Sequence, residues 1–116
     1  MKVEKITLAF VDDDGQSFSE ELNICFNMAT EIAYERVTGQ AFDPSSLDKV
    51  ETTIALYYAA IIANNKATKI TLEHLMYQAT ATDIATLRGA VLKAFGEWAN
   101  MPDILKEDSA VEDKNP

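Results

Sequence analysis

Between Glu51 and Lys66 the chain carries no charged residue, and the heart of that stretch reads TTIALYYAAIIA. On a helix, Ile54, Tyr57, Tyr58, Ile61 and Ile62 follow the i, i+3, i+4, i+7, i+8 spacing of one broad apolar face. Leu56, Ala59, Ala60 and Ala63 leave the other faces apolar or small. A helix that is apolar nearly all round is buried on several sides. This one is too short, and too interrupted by Thr, Tyr and Asn, to cross a bilayer, which takes roughly 20 apolar residues. It reads as the central helix of a small domain, and everything else in the chain must be arranged to cover it.

Upstream, residues 3 to 11 set Ile6, Leu8 and Phe10 against Glu4, Lys5, Thr7 and Ala9, the period-2 pattern of a half-buried strand. Asp12, Asp13, Asp14 and Gly15 are a strong turn signal. A second alternation puts Phe18, Leu22, Ile24 and Phe26 on one face, so residues 3–26 read as an antiparallel β-hairpin. The very polar run Gln16 to Glu21 suggests a loop longer than two residues. The acidic triplet lacks the alternating ligands and distal Glu of an EF-hand, so it reads as a turn. Because a lone hairpin is marginal in water, its apolar face has to pack on helices.

Asn27 is placed to cap a helix over 28–38, with Met28, Ile32 and Val37, plus Ala29 and Ala33, as its buried stripe and Glu31, Glu35 and Arg36 facing water. Gly39 is placed to end it in the left-handed conformation, and Phe42 to drop back into the core. Asp43-Pro44 restarts the chain as N-cap and first helical residue. Ser45 to Asp48 reads either as a short helix or as the first turn of the central one, whose full span is then 46–64. A third helix, 72–79, is capped by Thr71, with Ile70 and Leu75 spaced as a hydrophobic staple. The last, 83–99, is capped by Thr80 or Thr82 and carries the clearest amphipathic stripe: Ile84, Leu87, Val91, Ala94, Phe95 and Trp98. Gly89 and Gly96 weaken it, or permit close helix contact. Residues 1–102 thus form a single domain, mainly α with an N-terminal hairpin (α+β), and 103–116 read as a disordered acidic tail.

Chemistry is sparse. His74 is the only histidine, and with Glu73 on a different helix face it is expected to be exposed or to cap rather than to bind a metal. Cys25, the only cysteine, rules out an internal disulfide, fits a reducing compartment, and by alternation points away from the face of Ile24 and Phe26. No base other than His74 is available to activate it. The four glycines are isolated and form no phosphate loop. Trp98, Tyr57, Tyr58 and Phe95 sit at spacings that assign them to the core. Neither a catalytic nor a cofactor or metal signature stands out. A net charge of −9, with ten scattered basic residues, disfavours nucleic acid and anionic membranes and suits a protein partner. No signal peptide is evident, which gives a cytoplasmic expectation.

The layout resembles the tail assembly chaperones of long-tailed bacteriophages and prophages. The resemblance lies in the hairpin, then Phe26-Asn27-Met28-Ala29-Thr30-Glu31, then Glu35-Arg36-Val37-Thr38-Gly39-Gln40-Ala41-Phe42, then helices and a charged tail. It covers roughly residues 5 to 100. Its matching positions (Phe26, Asn27, Thr38, Gly39, Phe42) are structural: cap, stop and core. It implies a non-enzymatic protein of the bacterial cytoplasm that keeps the tape measure protein soluble, with the tail tube protein as a second partner and homo-oligomerisation left open. The partner surface is expected among the last helix and the hairpin. The alternatives are a structural virion subunit, of the tail tube or the head–tail connector, and a small enzyme.

Overall fold

The computed structural model describes residues 3–100. The expected acidic tail, 103–116, lies outside them. Strands β1 (Glu4–Val11) and β2 (Ser17–Ile24) form an antiparallel hairpin in unbroken register, Phe10 opposite Phe18 and Glu4 opposite Ile24. It leads into α1 (Met28–Thr38), a single 3-10 turn (Pro44–Ser46), α2 (Val50–Asn64), a π-helical turn (His74–Gln78) and α3 (Ala81–Ala99). The fold is α+β and mainly α. The sheet lies on α2 and α3, α2 beneath β2 and α3 beneath β1, while α1 packs along α2.

The hairpin closes tightly. Gly15 takes φ 81°, its N–H donates to the Asp12 carbonyl at 2.9 Å, and the Asp12 carboxylate accepts from the Asp14 and Gln16 N–H groups. The acidic triplet is therefore turn chemistry. The loop, 12–16, is longer than two residues as expected, but Ser17 to Glu21 is strand: Ser17, Ser19 and Glu21 are the solvent face of β2, and Phe18, Glu20 and Leu22 face the helices. Glu4 likewise shares the inward parity of Ile6.

α2 fills its central role. Ala59, Ala60, Ile61, Leu56 and Tyr57 are buried among Leu8, Leu22, Ile24, Leu87 and Val91. At the hairpin exit Phe26 contacts Phe42, Phe95 and Trp98, ring centroids 5.0–5.4 Å away, and Tyr34 meets Phe42 at 5.5 Å. The aromatic residues of the last helix thus seal one end of the core, as their spacing implied. Gly39, at φ 74°, ends α1 and donates to the Glu35 carbonyl.

Three expectations need correction. The buried stripe of α1 is Thr30, Ala33 and Tyr34; Met28 is 62% exposed, and Ile32 and Ala29 also face water. The phase is set by a reciprocal cap in which Asn27 accepts from the Thr30 N–H and Thr30 Oγ1 accepts from the Asn27 N–H. That arrangement turns Thr30 inward, where its hydroxyl also donates to the Cys25 carbonyl. The helix expected over 72–79 is present over 72–78, but from His74 to Gln78 it is wound as the π turn, closed by an Ala79 N–H bond to the His74 carbonyl. Finally, α3 begins at Ala81 behind a Thr80–Asp83 capping box, and a Cβ at Gly89 or Gly96 would meet nothing within 4 Å, so neither glycine serves close packing.

Candidate functional site

Cys25 and His74 each sit in a polar cluster, and both clusters hold the fold together. Cys25 lies just beyond β2. Its thiol is buried, donating to Asn64 Oδ1 at 3.0 Å, while Asn64 Nδ2 donates to the Cys25 carbonyl at 3.0 Å and to Ala60 at 2.8 Å. Asn27 Nδ2 reaches the same Asn64 oxygen at 3.3 Å. Burial pushes the thiol pKa up, away from the thiolate a nucleophile needs. The side chain expected to point off the core is thus knotted to the end of α2.

His74 is buried at 7% exposure, not exposed, between Phe10, which stacks on it at 5.2 Å and 7°, and Phe18, edge-on at 5.4 Å. Its Nδ1 accepts from the Thr71 N–H at 2.9 Å, which leaves the proton on Nε2 to donate to the Val11 carbonyl at 3.1 Å. With Thr71 Oγ1 accepting from the His74 N–H, this is a capping box in which histidine takes the place of Glu or Gln. The cap expected of His74 is real. His74 and Cys25 each bond to other groups and not to one another, and among the described residues no three His, Cys, Asp or Glu gather to hold a metal ion.

Both outer edges of the hairpin are touched by carboxamides that imitate a strand. Gln78 Oε1 accepts from the Val11 N–H at 2.8 Å and its Nε2 donates to the Val11 carbonyl at 2.9 Å. Asn65 treats Asn23 the same way, at 2.9 and 2.8 Å.

The open concave feature is apolar. Leu47, Val50, Ile54, Tyr57, Ile84 and Leu92 line a groove of about 370 Å³ between the first half of α2 and α3, with Asp48 and Arg88 among its polar members. Val50 is 78% and Leu92 48% exposed, a high fraction for aliphatic side chains on facing helices. The α2 start carries no side-chain cap; Thr53 turns its hydroxyl to the Leu47 and Lys49 carbonyls instead. The last helix and the first half of the central helix form the two walls of this groove, while the hairpin's apolar face packs inward. Ile54 lies in the same uncharged run as the buried residues that follow and is not separated from them by the sequence, whereas Val50 stands just ahead of that run, between Lys49 and Glu51.

No helix among the described residues is long and apolar enough to cross a membrane. Comparison of the chain with protein-family models, with curated proteins and with solved structures gives no match.

Proposed function

We propose that the protein is a cytoplasmic, non-enzymatic assembly chaperone of a phage or prophage tail, holding the tape measure protein until the tube encloses it. The observation that carries this reading is the open apolar groove between α2 and α3 on a chain of net charge −9. A tape measure protein is long and helical and exposes apolar surface before it is enclosed, so an unprotected copy aggregates. A helix laid along the groove would seat its i and i+4 side chains against Val50, Ile54, Ile84 and Leu92. The acidic remainder of the surface keeps such a complex dissolved. The arrangement of hairpin, FN junction and TG exit supports the same reading by resemblance. His74 and Cys25, both engaged in hydrogen bonds within the fold, support a role in binding over one in catalysis.

Co-expression with the tape measure protein of the same phage or prophage tests it: soluble yield of that protein should rise, and purified virions should lack this chain. Val50→Asp and Leu92→Asp, each at an exposed position, should abolish the gain while melting within a few degrees of the parent. A chain found by mass spectrometry in intact tails, with no complex on co-expression, would replace this reading with that of a virion subunit.

A further inference from the structure

In an antiparallel pair every second residue turns its N–H and C=O away from its neighbour. The Asp12 N–H bond to the Gln16 carbonyl fixes the alternation, so on β1 the outward residues are Lys5, Thr7, Ala9 and Val11. Val11 is taken by Gln78 and His74. On β2 the outward residues are Ser17, Ser19, Glu21 and Asn23; Asn65 holds Asn23, and the chain after α2 runs beside the strand, with Lys69 over the Phe18 ring and Glu20 accepting from Thr68 and Lys69. On β1 this leaves the backbone groups of Lys5, Thr7 and Ala9, with exposed Val3 ahead of them, unpartnered among the described residues, and it is the edge without the acids of β2.

Of the usual guards against strand pairing, this edge has only the inward-pointing charge of Glu4 at the start of the strand, 3.6 Å from the Lys93 ammonium. β1 contains neither a proline nor a bulge. Its one lysine does not stand over the edge; the Lys5 ammonium leans across the sheet to Asn23 Oδ1 at 3.0 Å.

We propose that β1 pairs antiparallel with β1 of a second copy of this chain, about a two-fold axis at Ile6, to make one four-stranded sheet. This register sets Lys5 against Thr7 of the second copy and Val3 against its Ala9. It uses every free group and stops where Gln78 begins. An axis at Thr7 would instead oppose Val3 to Val11, whose groups Gln78 already holds. Ile6 is half-buried in one copy and meets its twin at the axis, across a pair without mutual hydrogen bonds where side chains lie closest. Charge favours a twin here. The acids of the hairpin gather on the turn and β2 (Asp12, Asp13, Asp14, Glu20, Glu21), whereas β1 holds only Glu4 and Lys5, and Glu4 lies 3.6 Å from Lys93. Two strongly acidic molecules can meet at this edge without opposing like charges. The contact is small, which makes the dimer reversible and strengthened by salt that screens the two net charges.

The proposal stands whether or not the tape measure reading does, and its test needs only the purified chain. Sedimentation equilibrium over a concentration series should show mass rising from 12.8 kDa towards twice that value, more readily at higher salt. Thr7→Pro removes an outward N–H without touching the β1–β2 ladder and should raise the dimer dissociation constant about tenfold or more. Ser19→Pro, at the equivalent position on β2, should not. Ile6→Cys gives a check that does not depend on tolerating a proline. At the axis the two Cα atoms stand about 4.5 Å apart, within disulfide reach, so mild oxidation should give a covalent dimer. The parent chain, with Cys25 buried, should give none. A chain that stays monomeric and does not cross-link at Ile6→Cys overturns the proposal. So does a dimer that Thr7→Pro leaves intact and Ile6→Cys fails to trap, which would place the contact elsewhere.

Discussion

Asn64 joins three segments through one carboxamide. It accepts from the Cys25 thiol and from Asn27, and donates to the Cys25 carbonyl and to Ala60. Removing a buried partner leaves the others desolvated and unpaired, which costs about 1–3 kcal/mol. Asn64→Ala should therefore lower stability by about that amount in chemical denaturation, and Asn64→Asp, which cannot donate, should not restore it. The thiol adds a pH signature. Because burial raises its pKa in the folded chain above the ordinary thiol value, the folded state holds the proton longer than the unfolded state. Stability from this group is then complete below the ordinary thiol range and falls as pH rises through it towards the raised value. Melting curves from about pH 8 to 10 should decline more steeply for the parent than for Cys25→Ser, which keeps a donor for Asn64 and cannot ionise there. Equal slopes would mean that Cys25 is not desolvated.

Among the elements, α3 shows a stripe that sequence spacing predicts and a defect that structure leaves without purpose. Gly89 is exposed, helical and surrounded by open space on its Cβ side. Gly89→Ala should stabilise the protein by about 1 kcal/mol, through helix propensity and a less flexible unfolded chain. An unchanged or lower melting temperature would show that the glycine has a role beyond the helix. The elements whose period reports burial directly are legible: β1, the inward face of β2 (Phe18, Leu22 and Ile24), the α3 stripe and the caps at Asn27, Gly39 and Asp43 stand where the residues put them. The α1 stripe departs from its apolar spacing because Met28 and Ile32 outweigh Thr30 in any count of apolar residues, while a polar residue with both its hydrogen bonds satisfied buries at little penalty. The Thr71 to His74 spacing carried a signal of the buried histidine, since it is a capping box once imidazole is admitted as the acceptor. The π turn and the Gln78 and Asn65 strand mimics had none, because a winding defect and a contact spanning 67 or 42 residues leave no local period.

At the scale of the molecule, the central helix Val50–Asn64 has two fates. Its second half disappears beneath the sheet; Ile61 is fully buried between Ala60 and the half-buried Ile62. Its first half lines the open groove, with Val50 exposed. The same substitution should therefore have opposite consequences eleven residues apart. Ile61→Asp places a carboxylate among apolar side chains that offer it no partner, and such a change costs several kcal/mol against a total of about 5–15 kcal/mol for a domain. It should abolish cooperative melting and the dispersed spectrum of a packed core. Val50→Asp adds a charge where water already reaches, and an acid in the first turn of an uncapped helix start is favourable there, so melting should hold or rise slightly. A soluble Ile61→Asp chain with a sharp transition would mean that this face of α2 is a contact surface rather than core. A Val50→Asp chain that unfolds would mean that the groove is closed in solution. Measured together, the two variants separate the half of the central helix that holds the fold from the half that remains available to a partner.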